Sequence, residues 1–473
     1  MRRFILLLPI VISFATSAIA GNRFFVRVGA SASTTGESAE QLLERLGLHV
    51  VRSVAANDGV VYVVRSELEM PESVIAELLD SEPRIGMIES VRTLRLPEAY
   101  EERGRPSRLA HDDALTRAAR FARDQIASGE ASAPGSSYRR QALLRKLRLD
   151  AVHRFYDGAA TVAIIDTGVD PAHPELAGSL VAGYDFILDR VGASEWSELD
   201  PRLSAQLQQS TVAVLDQSTV AVLDQSTVAV LDRFAILNQS TVAVLDQESF
   251  DRLSSDEYRA FGHGTLVAGL VHLVAPGASI MPLRAFRADG SSSTDDIVDA
   301  IYYAVAHGAD VINMSFSFES FSPEVMRAVN AATRQGVICV SAAGNRGESL
   351  LVYPASLANV TGVAALTATR ERSSLSNFGE DLVSIAAPGE EVLTTYPGGR
   401  YASVFGTSFS AAIVSGSIAL LREVDGEVDQ HGAEKALAMG RPRSGEIGHG
   451  ELNLIGALRW LRQNRSDRDD DDD

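Results

Sequence analysis

Three short stretches carry residue types that together can cleave an acyl bond: Asp166-Thr167-Gly168, Gly262-His263-Gly264-Thr265 and Gly406-Thr407-Ser408. A serine hydroxyl is a weak nucleophile at neutral pH and needs a base to take its proton. Histidine can serve, because its pKa lies near working pH. A carboxylate beside it, Asp166, would hold the imidazole in the useful tautomer and stabilise its protonated form. Asn345, in Ala342-Ala343-Gly344-Asn345, could donate to a developing oxyanion together with the Ser408 backbone N–H. Each residue alone has a plainer reading, as a strand-end cap, a helix-start residue or a helix N-cap. The order of the three and their flanking glycines weigh against that coincidence. Asp216, Asp224, Asp232 and Asp246 lack the following Thr-Gly and read as non-catalytic.

The pattern around these stretches says what must position them. Ala160 to Ile165, Ser279 to Leu283, Val311 to Met314, Val337 to Ser341 and Val360 to Ala365 read as buried strands. His263 to Leu273, Thr294 to His307, Ser322 to Gln335 and Ser408 to Val424 have helical spacing. Strands alternating with helices predict an α/β domain with a mostly parallel sheet covered on both faces. Asp166 then ends a strand at the carboxyl edge, where active sites of such sheets collect. His263 and Ser408 open helices, where unpaired N–H groups and the helix dipole favour negative charge.

The three motifs, in the order Asp, His, Ser, resemble those of the subtilisin-like serine proteases. The resemblance covers roughly 148 to 460 and implies a subtilisin-like fold with Asp166, His263 and Ser408 as the triad and Asn345 as oxyanion donor. Val311-Ile312-Asn313-Met314-Ser315 resembles that family's substrate-binding edge strand, which implies substrate contacts at Ser315, Phe316, Ser317 and Gly344. Ala386-Ala387-Pro388-Gly389 is also similar. Departures are Phe409 and Ser410 in place of Met and Ala, Ala412 in place of Pro, Leu266 after Gly-Thr in place of His, and Ser317 in place of Gly. Phe409 is expected to widen the helix start and shift the substrate pocket. The resemblance leaves structural calcium open, with no ligands assigned and no other cofactor implied.

Upstream, residues 21–97 read as strand, helix, strand, strand, helix, strand, a small α+β ferredoxin-like unit. Asn57-Asp58-Gly59 supplies a hairpin turn. The resemblance implies that this unit is an inhibitory propeptide, the chain's own partner. Residues 98–147 are Arg-rich and poor in apolar residues, as expected of an exposed linker. Inside the catalytic region, within an insertion at about 190–258, Ser-Thr-Val-Ala-Val-Leu-Asp recurs at 210–216, 218–224, 226–232 and 240–246. It resembles Thr161 to Asp166 and reads as duplications of that strand.

Arg2 and Arg3, the apolar run Phe4 to Phe14 and Ala18-Ile19-Ala20 predict a signal peptide over residues 1–20. Export to a periplasm or the exterior is expected, with no membrane span after its removal. The net charge of −19, from 43 basic and 62 acidic residues, argues against a nucleic-acid partner. Cys339 cannot pair within the chain and reads as a buried thiol. Asp469 to Asp473 close an acidic tail at 466–473, read as solvated. The reading is a secreted serine endopeptidase made as a precursor and acting on proteins or peptides. The alternative is a catalytically weak homologue that binds a partner through its repeats.

Overall fold

The computed structural model describes residues 19–29, 37–56, 59–67, 70–96, 135–209, 234–237, 256–440 and 446–471. The signal-peptide run, the Asn57-Asp58 turn, most of the linker and the four repeat copies lie outside the described residues.

The first unit is built from β1 (Ile19–Val28), α1 (Ala39–Arg45), β2 (Leu48–Ala56), β3 (Gly59–Ser66), α2 (Glu72–Ser81) and β4 (Ile85–Arg95). Its strands pair antiparallel in the order β4-β1-β3-β2. Ser38 opens α1 as a capping box, with Gln41 returning the bond, which satisfies two otherwise orphaned N–H groups. β1 begins at Ile19, opposite Arg92, inside the stretch expected to hold the signal cleavage site.

The predicted linker ends earlier than its composition suggested. Two short helices, α3 (Gly135–Arg140) and α4 (Ala142–Leu147), pack onto the second unit. Tyr138, Leu143 and Leu147 are buried in the main core, and the Tyr138 hydroxyl donates to Gly269 O at 2.5 Å. Gln141 donates to Leu393 O at 2.6 Å and accepts from Leu393 N at 3.0 Å, as a neighbouring strand would. The arginines face outward while the leucines face in, so density of charge concealed an amphipathic segment.

The second unit centres on a sheet of β5 (Thr161–Asp166), β6 (Tyr184–Asp185), β7 (Arg190–Val191), β9 (Ser279–Arg284), β11 (Val311–Met314), β12 (Ile338–Ala342), β13 (Thr361–Leu366) and β14 (Ile385–Pro388). Between β7 and β9 in the chain come α5 (Pro201–Gln209), β8 (Phe234–Leu237) and α6 (His263–Val274). Further elements are β10 (Ser291–Ser293), α7 (Thr294–Ala306), α8 (Pro323–Arg334), β15 (Glu390–Tyr396), β16 (Arg400–Phe405), α9 (Thr407–Val424), α10 (Gln430–Leu437) and α11 (Leu454–Asp471), with a single helical turn at Leu149–Val152 and short 3-10 turns besides. Strand order is β14-β13-β12-β11-β5-β9-β6-β7, parallel throughout except for β7.

β5 shows why both faces are covered. Val162 and Ile164 join the apolar cluster of α6 and α9, while Ala163 and Ile165 join that of α7 and α8. A strand apolar at every position must lie between two helical layers. α9 is buried from Thr407 to Leu421, and its Ser, Ala and Gly residues let it lie close to the sheet. Each of Ile413, Val414, Ile418, Leu420 and Leu421 removed from water contributes roughly 1.5–3 kcal/mol. Cys339 lies on the opposite face, in the cluster of α7 and α8, and burial pushes its thiol up to about 12.

β8 comes from between the third and fourth repeat copies. It joins β16 antiparallel, Phe234 opposite Val404 and Leu237 opposite Tyr401. The insertion is therefore tied into the second unit's three-stranded sheet, β15-β16-β8. At the other end, α11 continues as helix to Asp471, into the stretch read as a solvated tail. Among the described residues no helix is long and apolar enough to cross a membrane.

Candidate active site

Asp166 is the last residue of β5 and is fully buried. His263 is the first residue of α6, whose N-cap is Gly262. His263 Nδ1 lies 2.7 Å from Asp166 Oδ1, and Thr167 N donates to the same oxygen at 2.8 Å. Bonding at Nδ1 leaves Nε2 as the ring nitrogen on the opposite edge, the one suited to take a proton from a hydroxyl.

Gly264 makes that approach feasible. A Cβ built there would sit 2.0 Å from Gly168 O and 3.2 Å from Asp166 Cβ. Gly264→Ala is expected to force α6 away from the end of β5, costing about 3 kcal/mol. Thermal unfolding checks this, and an unchanged Tm would show that the backbone gives way there.

Ser408 lies in the first turn of α9, after Gly406, whose φ of +138° is closed to other residues. Its hydroxyl donates to Ser315 O at 3.1 Å. In return, Ser315 Oγ donates to Ser408 O at 2.8 Å, Asn313 Nδ2 donates to Ser315 Oγ at 2.9 Å, and Ser415 Oγ donates to Asn313 Oδ1 at 2.9 Å. This buried polar chain pins the start of α9 to the carboxyl end of β11.

Asn345 follows β12, the neighbour of β11. Its Oδ1 accepts from Thr407 N and Thr407 Oγ1, each at 2.9 Å. Two donors on one atom fix which end of the amide is oxygen, and they turn Nδ2 toward Gly406. Asp166, Ser315 and Asn345 thus stand at the carboxyl ends of adjacent strands β5, β11 and β12.

The expected substrate contacts divide. Ser317 Oγ is close to Gly344, where an added Cβ would approach it to 3.1 Å. Ser315 uses its hydroxyl to hold α9. Phe316 turns its ring into the core, 1% exposed and 5.1 Å from the Phe286 ring, so its side chain is a packing group. Phe409 lies with its ring centroid 5.7 Å from that of His263, tilted 48°. It packs against the imidazole because the first turn of α9 faces the first turn of α6. Ser410 donates to Ala387 O at 3.1 Å and Pro388 O at 3.2 Å, tying α9 to β14.

One group at this site had no signal in the sequence. Glu195, within a polar Ser-Glu-Trp-Ser-Glu stretch, is 3% exposed and lies behind the Asp166–His263 pair. Only its burial marks it, and burial is set by residues distant in the chain.

Residues 157–440 match the family model described as the subtilase family. The "Thermophilic serine proteinase" of Bacillus sp. (strain AK1) is 32% identical over 270 residues, covering 55% of this chain and 51% of that protein. "Subtilisin BL" of Lederbergia lenta is 39% identical over 171 residues, 34% of this chain and 63% of that protein. The chain thus spans between half and two thirds of the length of these relatives. Among solved structures, fervidolysin from Fervidobacterium pennivorans, described as a keratinolytic enzyme related to subtilisin, aligns with a TM-score of 0.62 and 20% identity. That alignment covers 93% of this chain and 61% of that one, and at this identity it speaks to the fold.

Proposed function

This chain belongs to the subtilase family, and from that premise we propose that it is a serine endopeptidase acting on proteins or peptides. Ser408 Oγ attacks the scissile carbonyl while His263 takes its proton. Asp166 holds the imidazole through Nδ1 and stabilises the imidazolium. Asn345 Nδ2 and the Ser408 N–H receive the oxyanion. His263 then protonates the leaving amine, and water hydrolyses the acyl-enzyme by the same route in reverse. No step calls on a metal or cofactor. The observation that carries the reading is the 2.7 Å Asp166–His263 contact at the heads of β5 and α6, with the start of α9 packed against it. A fluorophosphonate probe tests it: one serine is expected to be labelled, and labelling that survives Ser408→Ala would sink the assignment.

The first unit acts as an inhibitory propeptide of a precursor that is exported through a signal peptide. Its docking supports this role. β4 pairs with β10, Thr93 opposite Ser293 and Arg95 opposite Ser291, and Leu96 N donates to Gly290 O at 2.8 Å. Arg52 bonds Asp295, Asp296 and Asp299 of α7 at 2.9, 3.1 and 2.7 Å, and Arg27 bonds Glu324 of α8 at 2.5 Å. Removing one partner from such a cluster leaves buried charges uncompensated. Arg52→Ala is therefore expected to weaken docking about 10²-fold. The measurement is the time course of activity appearing after secretion; an unchanged lag would show that Arg52 does not hold the unit in place.

A further inference from the structure

Glu195 opens a turn of 3-10 helix, Glu195–Glu198, after β7. Its carboxyl is ringed by donors. Thr167 Oγ1 lies 2.5 Å from Oε1, Gly264 N lies 3.2 Å from the same oxygen, and the Thr265 hydroxyl bonds Oε2. The titratable groups facing it are Asp166 from β5, His263 from α6 and the buried Tyr396 phenol from β15. Among the described residues no lysine or arginine pairs with it.

We propose that Glu195 is a positioning residue for the Asp166–His263 pair, setting through the Thr167 hydroxyl how strongly Asp166 supports the imidazolium. The proposal rests on the Ser-His-Asp reading above. The Thr167 hydroxyl has one proton and two carboxylates in reach, Glu195 Oε1 at 2.5 Å and Asp166 Oδ1 at 3.3 Å. When Glu195 carries a proton on Oε1, it donates to Thr167 Oγ1, and the Thr167 hydroxyl turns to Asp166 Oδ1. When that proton has gone to solvent, the Thr167 hydroxyl donates to Oε1 instead. Asp166 then loses a donor, and a second negative charge stands near His263. Both changes raise the basicity of the imidazole.

Burial pushes the Glu195 carboxyl up to about 8, against the pull of the Thr167 and Thr265 hydroxyls and with Asp166 adding to the rise. The switch therefore falls in the range where a His-assisted serine reaction runs. A carboxyl whose folded pKa lies above its ordinary 4.5 binds more protons folded than unfolded between those values. Its stabilisation is full below the ordinary value and is lost as pH rises through about 8.

The test is the pH profile of kcat on a short peptide p-nitroanilide, using the processed full-length product. The wild type is expected to show two rises: a lower one from His263 and an upper one near pH 8 of roughly three- to tenfold. Glu195→Gln is expected to lose the upper rise and keep the lower, while its Tm relative to wild type climbs as pH rises from about 4.5 to about 8 and levels off above that. A folded Glu195→Gln with the upper rise intact overturns the proposal. Should that variant not fold, Thr167→Val breaks the link while keeping the carboxyl, and an undiminished upper rise there overturns it equally. Failure of the triad itself is separately visible, as peptidase activity that survives Ser408→Ala.

Discussion

Ser408→Ala is expected to lower kcat by about 10⁵- to 10⁶-fold while leaving the chain folded. The hydroxyl is the only group in the proposed mechanism that bonds covalently to substrate. Without it, the oxyanion donors and binding contacts retain only about 10³- to 10⁴-fold over the uncatalysed rate. Alanine suits the first turn of a helix, and the lost bond to Ser315 O costs about 1 kcal/mol. The polar chain from Ser415 through Asn313 and Ser315 ends on the Ser408 carbonyl, which alanine keeps. Hydrolysis of a peptide p-nitroanilide and thermal unfolding measure the two halves of this result. If the chain removes its own first unit, the variant also remains at precursor length. A folded variant with a hundredth of wild-type activity would move the nucleophile elsewhere.

Asp166→Asn is expected to lower kcat by about 10⁴-fold at neutral pH. The amide is the same size as the carboxylate, so the packing around this fully buried position survives. What changes is the charge offered to His263. Oδ1 of Asp166 accepts from His263 Nδ1 and from Thr167 N. An amide oxygen held in that place by the Thr167 N–H still accepts from Nδ1, so the ring keeps its orientation. The negative charge that stabilises the imidazolium is lost, and the ring becomes a poor base for the Ser408 proton. The check is kcat against pH together with the ring-proton NMR signal of His263. A folded variant that loses less than tenfold would show that the Asp166 charge does not support the imidazolium.

Much of the fold was legible because strand and helix periods are local. Val311–Met314 has the same ends in sequence and structure, and the helix predicted from His263 begins there. The first unit's strand-helix-strand-strand-helix-strand order was legible for the same reason. Residues 138–147 were not, since counting arginines says nothing about which face of a short helix they occupy. β15 and β16 went unseen because their polar residues are satisfied by distant groups: Thr394 Oγ1 donates to Leu266 O at 2.6 Å, Thr395 Oγ1 to Thr265 O at 2.7 Å, and the Tyr401 hydroxyl to Glu175 at 2.8 Å. Polar residues paired in this way read as loop in isolation.

The same division runs through the candidate site. The sequence by itself determined which reactive side chains stand at the ends of which elements, because a strand-end Asp-Thr-Gly or a helix-start Gly-Thr-Ser is a local pattern of turn and period. It also placed glycines where two backbones must nearly touch. Only the tertiary structure decided what surrounds those side chains. It set the Phe409 ring against His263, turned Phe316 into the core, and buried Glu195 beside Asp166 with no lysine or arginine paired to it among the described residues. Burial and electrostatic environment arise from segments that meet only on folding, here from β5, the turn at Glu195, α6 and α9. No local stretch of chain contains that information.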